Sequence, residues 1–430
     1  MITLSDARLS TRIAVERTGA WLLRATGDEF ARLDSAANRA DPYPAYARLR
    51  ERETLYRSKL GFWVATTFEH CNLVLRDRRF GVQQNDGAMP RFFDTMALAR
   101  GPEVVLSFLE LDPPEHTRLR ALARPAFGPA KLDGYRPLIE SIAHDLLDRA
   151  AKKGGFDLMA DFAGPLPIRV ISELLGIPDV NAERFLAYGR ILAKALDGIS
   201  SMRLVRELRT ATTEMYTMFR ALMAAKREHP EADVLTQLTE AHDAGKLTVP
   251  ELLATCELLL VAGFETTVNL IGNSTLALLS HPEQWALLCE DPGLARAAAE
   301  ETLRYDPPVQ STARVAHEDV ELAGTRIRAN ELVFTMIGAT GRDPAVFADP
   351  EVFDITRTPE REHLAFSSGI HYCLGAPLAR LEAEIALRAL AERMPELAVD
   401  GTPRRRPSAG IRGLLRFPVR IPHGKPLSVP

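Results

Sequence analysis

The residues with the most chemical potential in this 430-residue chain sit at two places far apart in sequence. Cys373 lies in FSSGIHYCLG, where glycine and serine loosen the backbone just before a strong helical pattern that begins around Gly375. A sulfur at a helix N-terminus meets the positive end of the helix dipole and unpaired backbone N–H groups, which lowers its pKa and suits it to act as an anionic ligand. Gly369 and Gly375 lack a Cβ, so a flat macrocycle would be able to approach the backbone closely there. Taken alone, a single cysteine equally fits one more buried apolar side chain.

The second place is ELLLVAGFETTVNLIGNS, an apolar helical run interrupted by Gly263 and then by Glu265, Thr266 and Thr267. Gly263 and Thr266 are three apart and share a helix face. A threonine hydroxyl bonding back to a carbonyl would loosen the ladder there and bend the helix, leaving a groove for dioxygen and a water. By itself this pattern also fits a simple kink or packing feature.

Three further groups surround these. Glu301 and Arg304 are three apart in EETLRYDPPVQSTAR, a spacing that by itself describes a surface ion pair. His116 and Arg120 are four apart in DPPEHTRLRALARPAF and are suited to grip one anionic group, and Arg314 follows the Pro307-Pro308 turn. ATGRDPAVFADPEVFDITR, from Ala339, is a loop rich in Pro, Phe and Asp.

Together and in this order, these segments resemble the bacterial cytochromes P-450. Phe366, Gly369, His371, Cys373 and Gly375, followed by Leu378-Ala379-Arg380, resemble the family's haem-binding signature, with Ser367 where the family usually has glycine. The run around Thr266 is similar to the family's distal motif, and Glu301 with Arg304 to its Glu-x-x-Arg helix. The segment from Ala339 resembles its meander, with Gly341 in place of a usual asparagine. The resemblance runs from about Asp41 to the C-terminus.

It implies a mainly α fold with a small β region, with haem b held between the long helix and the Cys373 helix and its iron ligated by Cys373. It further implies that His116, Arg120, Arg314 and His371 hold the haem propionates, and that the buried Glu301–Arg304 pair braces the cysteine loop. Thr266 would donate to dioxygen at the iron while Glu265 relays protons from solvent, general acid work that needs hydrogen-bond reach. The implied reaction inserts one atom of O₂ into an organic substrate and reduces the other to water. The chain lacks a GxGxxG loop and a four-cysteine cluster, so electrons are expected from a separate ferredoxin and its NAD(P)H-dependent reductase. An acidic ferredoxin would dock near Cys373, where Arg118, Arg124 and Arg388 are candidates for exposed cations. A peroxide-driven peroxygenase and a non-catalytic haem sensor or carrier are the alternatives. The acid–alcohol pair Glu265 and Thr266 favours the ferredoxin-driven reading.

These groups need a scaffold, and the rest of the sequence supplies one. With 46% hydrophobic and 26% charged residues the chain can bury a large core. A net charge of −4, with both signs interspersed, gives no basic stripe for nucleic acid. Cys71, Cys256, Cys289 and Cys373 are too scattered for a disulfide framework or a zinc pair, which fits a reducing, cytoplasmic setting. Charges at Asp6, Arg8, Arg12, Glu16, Arg17 and Arg24 interrupt any leader or anchor, and the apolar stretch after Glu265 falls short of a membrane span.

A helix is expected from Asp41, and a strand hairpin from Leu55 turning at Leu60 and Gly61. Residues 81–112 read as a long irregular segment. Helices dominate from Pro114 to about Leu279, the last starting near Val249, and another covers residues 294–305. A small sheet with a turn at Ala323-Gly324 follows, and the tail is basic and strand-like. The first 40 residues form an N-terminal extension without a recognisable motif, and residues 41–430 a single haem-thiolate domain. Val261, Ala262, Val309, Phe92 and Phe93, with parts of 81–112 and 180–205, are the pocket candidates. Their apolar character points to a lipophilic substrate such as a fatty acid, terpenoid, steroid or polyketide.

Overall fold

The computed structural model describes residues 4–101, 105–196 and 198–422. Helix α1 (Leu4–Ala25) opens the chain, followed by short helices α2 (Glu29–Leu33) and α3 (Ala36–Ala40). Leu9 and Ile13 of α1 join the same hydrophobic core as the body of the protein. α4 (Tyr43–Arg52) fits the helix expected from Asp41, and β1 (Leu55–Arg57) pairs antiparallel with β2 (Trp63–Ala65) around a turn with Gly61 at φ +91°.

α5 (Phe68–Arg76) starts at the N-cap Thr67, whose hydroxyl accepts from His70 N, and leads to β3 (Phe80–Gly81). The segment expected to be irregular contains a single turn at Arg91–Phe93 and helix α6 (Asp94–Arg100). Its seven residues are too few for periodicity to declare a helix. α7 (Glu115–Ala123), α8 (Pro129–Ala151), β4 (Gly155–Asp157), α9 (Pro165–Leu175), α10 (Asp179–Leu196), α11 (Met202–Glu228) and α12 (Val234–Asp243) form the helical body.

The central element is α13 (Val249–Ser280). Its start is fixed by a capping box in which Thr248 and Glu251 satisfy each other's backbone N–H, with Pro250 in the first turn. By length and composition this one helix among those described could cross a membrane, but 72% of its most apolar window is buried inside the molecule. It is a core helix, apolar nearly all round because neighbours cover it nearly all round.

α14 (Pro282–Glu290) and α15 (Ala295–Tyr305) precede the sheet region. β5 (Thr312–Ala316), the hairpin β6 (Val320–Leu322) and β7 (Thr325–Ile327), and β8 (Leu332–Thr335) follow. The hairpin turns at Ala323 and Gly324, both at positive φ, as its residue pair predicts. The main sheet has the order β1-β2-β8-β5-β3. After α16 (Ile337–Thr340) and the cysteine loop comes α17 (Ala376–Arg393), which packs against α8, α13 and α15. The tail forms β9 (Ala398–Val399), β10 (Arg404–Arg405), β11 (Leu414–Arg416) and β12 (Pro418–Arg420). β12 pairs with β4 as well as β9, a long-range pairing that no local pattern announces.

Candidate haem-thiolate site

The cysteine loop closes on itself before α17 begins, since Cys373 N donates to Phe366 O at 2.9 Å. Ser367 has φ +64°, so the residue that replaces a glycine occupies a left-handed conformation that glycine adopts at lower cost. Gly369, at φ +70°, is needed for the protein's own packing as well. A Cβ there would lie 2.3 Å from Leu75 O, so the glycine lets the loop pack on the end of α5. Gly375 has only Phe127 nearby, at ordinary distance, so protein packing does not demand it.

Cys71 and Cys256 are buried and Cys289 is half-buried, whereas Cys373 is exposed. Its Sγ receives the amides of Gly375 and Ala376, as a helix N-terminus allows. The expected lowering of its pKa does not result. Burial among protein atoms raises the thiol, and this outweighs those amides and the charges of Arg120 and Arg380. A group that is accessible and yet strongly desolvated lies on the wall of an internal cavity. Bonding to a cation, more than the dipole, must therefore supply the thiolate.

The opposite wall is visible on α13. Most of this helix is buried, but Ala262 is exposed and Val261, Gly263 and Thr266 are half-exposed. This is accessible surface in the middle of a core helix that packs on α17. Thr266 Oγ1 donates to Ala262 O at 2.9 Å and Thr267 Oγ1 to Gly263 O at 3.1 Å, so both hydroxyls bond back along the ladder. Glu265 points elsewhere: it is 6% exposed, ion-paired with Arg406, and accepts from Asn269 Nδ2 at 3.4 Å. Gly263 packs under Ile171, whose Cδ1 would be 3.1 Å from an added Cβ.

Four cations and imidazoles converge beside Cys373. The rings of His116 and His371 have centroids 4.4 Å apart, and both are buried. Neither nitrogen of His116, nor Nε2 of His371, has a hydrogen-bond partner. Burial, with Arg314, His116 and Arg120 adding to it, pushes His371 down to about 3, and burial pulls Arg314 down to about 10. Arg314 donates to Ala313 O at 2.8 Å, and its only favourable charge is the carboxylate of Asp112, which does not offset the cost of burial. Arg120 donates to Tyr372 O at 2.5 Å and senses the Cys373 sulfur. Buried cations and donors short of partners are costly, so this cluster calls for a ligand carrying acidic groups. Haem fits: a sulfur ligand for iron, two walls, and donors for two propionates.

The Glu301–Arg304 pair is buried and doubly bonded, with Nε–Oε2 2.8 Å and Nη2–Oε1 2.7 Å. Its remaining bonds run to the meander. Arg304 donates to Gly341 O, Pro350 O and Val352 O, and Asp354 N donates to Glu301. A Cβ at Gly341 would fall 1.9 Å from Arg304 O, so the residue that departs from the family pattern permits this close approach. The neighbouring Glu300 ties α15 to the segments flanking the cysteine loop: it accepts from Arg380 Nε at 2.6 Å and pairs with His363 at 3.2 Å. Sequence reading missed Glu300 because a second acid beside Glu301 carries no spacing signal of its own.

The pocket candidates fare unevenly. Val261 is half-exposed and Ala262 exposed on α13, and Val309 is half-buried and bridges to Ile411. Phe92 is 47% exposed and its ring touches Phe62, Phe93 and Phe334, on the side of the sheet. Phe93 is half-buried beside it. Residues 102–104 and 197 lie outside the described residues, as do several side chains of 180–205. Of the cations expected to dock a partner, Arg118 is held by Glu115 and Glu251 and Arg388 by Glu384, which leaves Arg124 exposed.

The cytochrome P450 family model matches residues 293–396, from just before α15 to just past α17. The biotin biosynthesis cytochrome P450 of Bacillus subtilis is 38% identical over 88% of this chain and 96% of its own. The chain belongs to the cytochrome P450 family. The cytochrome P450 monooxygenase PikC of Streptomyces venezuelae is 41% identical to this cytochrome P450 over 94% of each. Among solved structures, P450BioI in complex with hexadec-9Z-enoic acid ligated acyl carrier protein superposes with a TM-score of 0.81 at 37% identity, covering 90% of this chain and 100% of that one. Myxobacterial CYP267B1 with myristic acid gives 0.84 at 38% identity, covering 92% and 100%. This cytochrome P450 is thus a monooxygenase whose cofactor is haem b.

Proposed function

We propose that this protein is a ferredoxin-dependent monooxygenase of lipophilic, acyl-chain-like or polyketide-like substrates, with Cys373 as the axial ligand of its haem. The observation that carries the site assignment is the cluster of buried His116, Arg314 and His371 with half-buried Arg120, whose imidazole nitrogens lack partners, beside an accessible cysteine. When bound, the haem supplies one-electron chemistry and dioxygen activation, with thiolate donation favouring O–O cleavage. The chain's own residues do the rest. Cys373 presents sulfur from the loop, with the Gly375 and Ala376 amides steadying its charge. His116, Arg120, Arg314 and His371 orient the cofactor through its propionates. Ala262 and Val261 keep the distal side apolar. Thr266 holds a proton on Oγ1, and rotation away from Ala262 O would present it to the cavity. Glu265 stands next in sequence as the acid that replenishes it.

The substrate class is supported by the apolar pocket candidates and by relatives whose names speak of biotin and polyketide biosynthesis and of fatty acids. A cytoplasmic setting and a separate ferredoxin with its reductase complete the proposal. The exposed Arg124, and the exposed Arg76 beside Gly369 of the cysteine loop, are the candidate contacts for an acidic ferredoxin.

The test is a screen of fatty acids, terpenoids, steroids and polyketide lactones by the haem spin-state shift, followed by turnover with ferredoxin, its reductase and NADPH. Lipophilic ligands should shift the spectrum and yield oxygenated product. Shifts only with small charged metabolites would overturn the substrate class, and turnover with peroxide but with no reductase system would favour a peroxygenase.

A further inference from the structure

Glu265, Asn269 and Asn273 are spaced four apart on α13 and share one face of it. All three are buried, with 6%, 1% and 1% exposure. A core helix gains nothing by placing amides there unless their hydrogen bonds are met. They are half met. Asn269 Nδ2 donates to Glu265 Oε1 at 3.4 Å, and Asn273 Nδ2 donates to Asp306 O at 3.1 Å and Arg412 O at 3.2 Å. The acceptor Oδ1 of each asparagine has no protein partner.

The facing wall is the β10–β11 hairpin and the residues it carries. Arg406 reaches Glu265, and Gly413 brings backbone so near that a Cβ would lie 1.9 Å from Asn269 Oδ1. At the far end Asp306 accepts from Tyr43 at 2.5 Å and pairs with Arg412 and Arg405. The Arg405 side chain is 25% exposed, so the polar row reaches the surface there. Buried acceptors in a polar setting are met by internal waters, and such waters move protons along hydrogen bonds.

We propose that this face is a proton inlet. Waters on Asn273 Oδ1 and Asn269 Oδ1 carry protons from the solvent edge at Arg405 and Asp306 to Glu265, each water accepting one proton and giving up another. Arg406 is a positioning residue that holds Glu265 turned toward the inlet. Once protonated, Glu265 turns from Arg406 and passes the proton to Thr266. The electrons come from the ferredoxin, so the inlet carries protons alone. The inference rests on the reading of Glu265 and Thr266 given above.

Two measurements test it. A high-resolution crystal structure of the haem-loaded protein should show ordered waters on both Oδ1 atoms; a dry contact at both overturns the proposal. In the second, myristic acid serves as the probe, with ferredoxin, reductase and NADPH. Asn269→Leu should slow NADPH oxidation by about tenfold and raise its solvent deuterium isotope effect, with anaerobic haem reduction unchanged. Asn269→Ser, which can still bind a water, should restore much of the rate. Asn273→Leu is the second variant should Asn269→Leu fail to fold. Thr266→Ala is the control on the underlying reading and should raise the peroxide formed per NADPH. If Thr266→Ala does so while the asparagine variants keep the wild-type rate and isotope effect, the inlet alone is wrong. If Thr266→Ala changes nothing, the underlying reading fails.

Discussion

The guanidinium of Arg380 lies 4.6 Å above the ring of Phe366, clamping the first residue of the cysteine loop to the helix that follows it. The same guanidinium donates to Glu300 on α15 and to the Tyr372 hydroxyl. Three segments therefore meet at one side chain: the loop, α17 and α15. Since the loop carries Cys373, the geometry of the sulfur depends on this clamp.

Replacing Arg380 by alanine should loosen the loop and cost about 1–3 kcal/mol, the range of hydrogen bonds to charged groups. Chemical denaturation of the haem-free protein would measure the stability loss. Faster haem release from the loaded variant would show that the loop, specifically, has loosened. Arg380→Lys should recover little, because an ammonium can neither stack flat on Phe366 nor grip Glu300 through two nitrogens.

Glu301→Gln should be more damaging. It strands Arg304, at 2% exposure, with its pairing charge removed, and the expected loss is about 3–5 kcal/mol. Because Arg304 also holds Gly341, Pro350 and Val352, the meander should become protease-sensitive before the rest of the molecule. Limited proteolysis with mapping of the first cut checks this.

Two neighbouring acids should give opposite pH responses. Burial works to raise Glu300, but hydrogen bonds from His363 and Arg380 prevail and hold it at about 2, below its ordinary 4.5. Its stabilisation is present above pH 4.5 and lost as pH falls toward 2, so Glu300→Gln should weaken the protein at neutral pH and flatten the acid limb. Burial raises Glu382 well above its ordinary value, and its Oε2 lacks a partner. Its contribution is full at low pH and lost as pH rises through the folded value. Glu382→Gln should therefore raise stability at neutral and alkaline pH. Thermal midpoints between pH 3 and 9 for both variants would show the two slopes.

Arg314→Ala should speed haem loss about tenfold, the equivalent of one charge-assisted hydrogen bond of about 1.4 kcal/mol. Transfer of haem to apomyoglobin measures the rate. His116→Ala should act in the same direction through a separate donor.

Much of this site was legible before any coordinates, because it is written in short segments. Cys373 with its glycines, the Gly263–Thr266 run and the Glu301–Arg304 spacing are local patterns, and each found its expected element. What could not be read depends on chain distant in sequence. Arg406 reaches Glu265 from the tail, β12 pairs with β4, and Leu9 of α1 packs into a core built mostly of later helices. Local spacing also gave no sign of Glu300, whose bond to Arg380 ties α15 to the helix after the cysteine loop. The packing need at Gly369 was hidden for the same reason, since its neighbour Leu75 lies on α5.

The most direct test of the central claim is the ferrous, carbon-monoxide-bound spectrum of the purified, haem-supplemented protein, beside that of Cys373→Ser. Thiolate ligation by Cys373 predicts a strongly red-displaced Soret band in the wild type and its absence in the variant. A wild-type spectrum without that band, or a variant that retains it, would contradict the assignment.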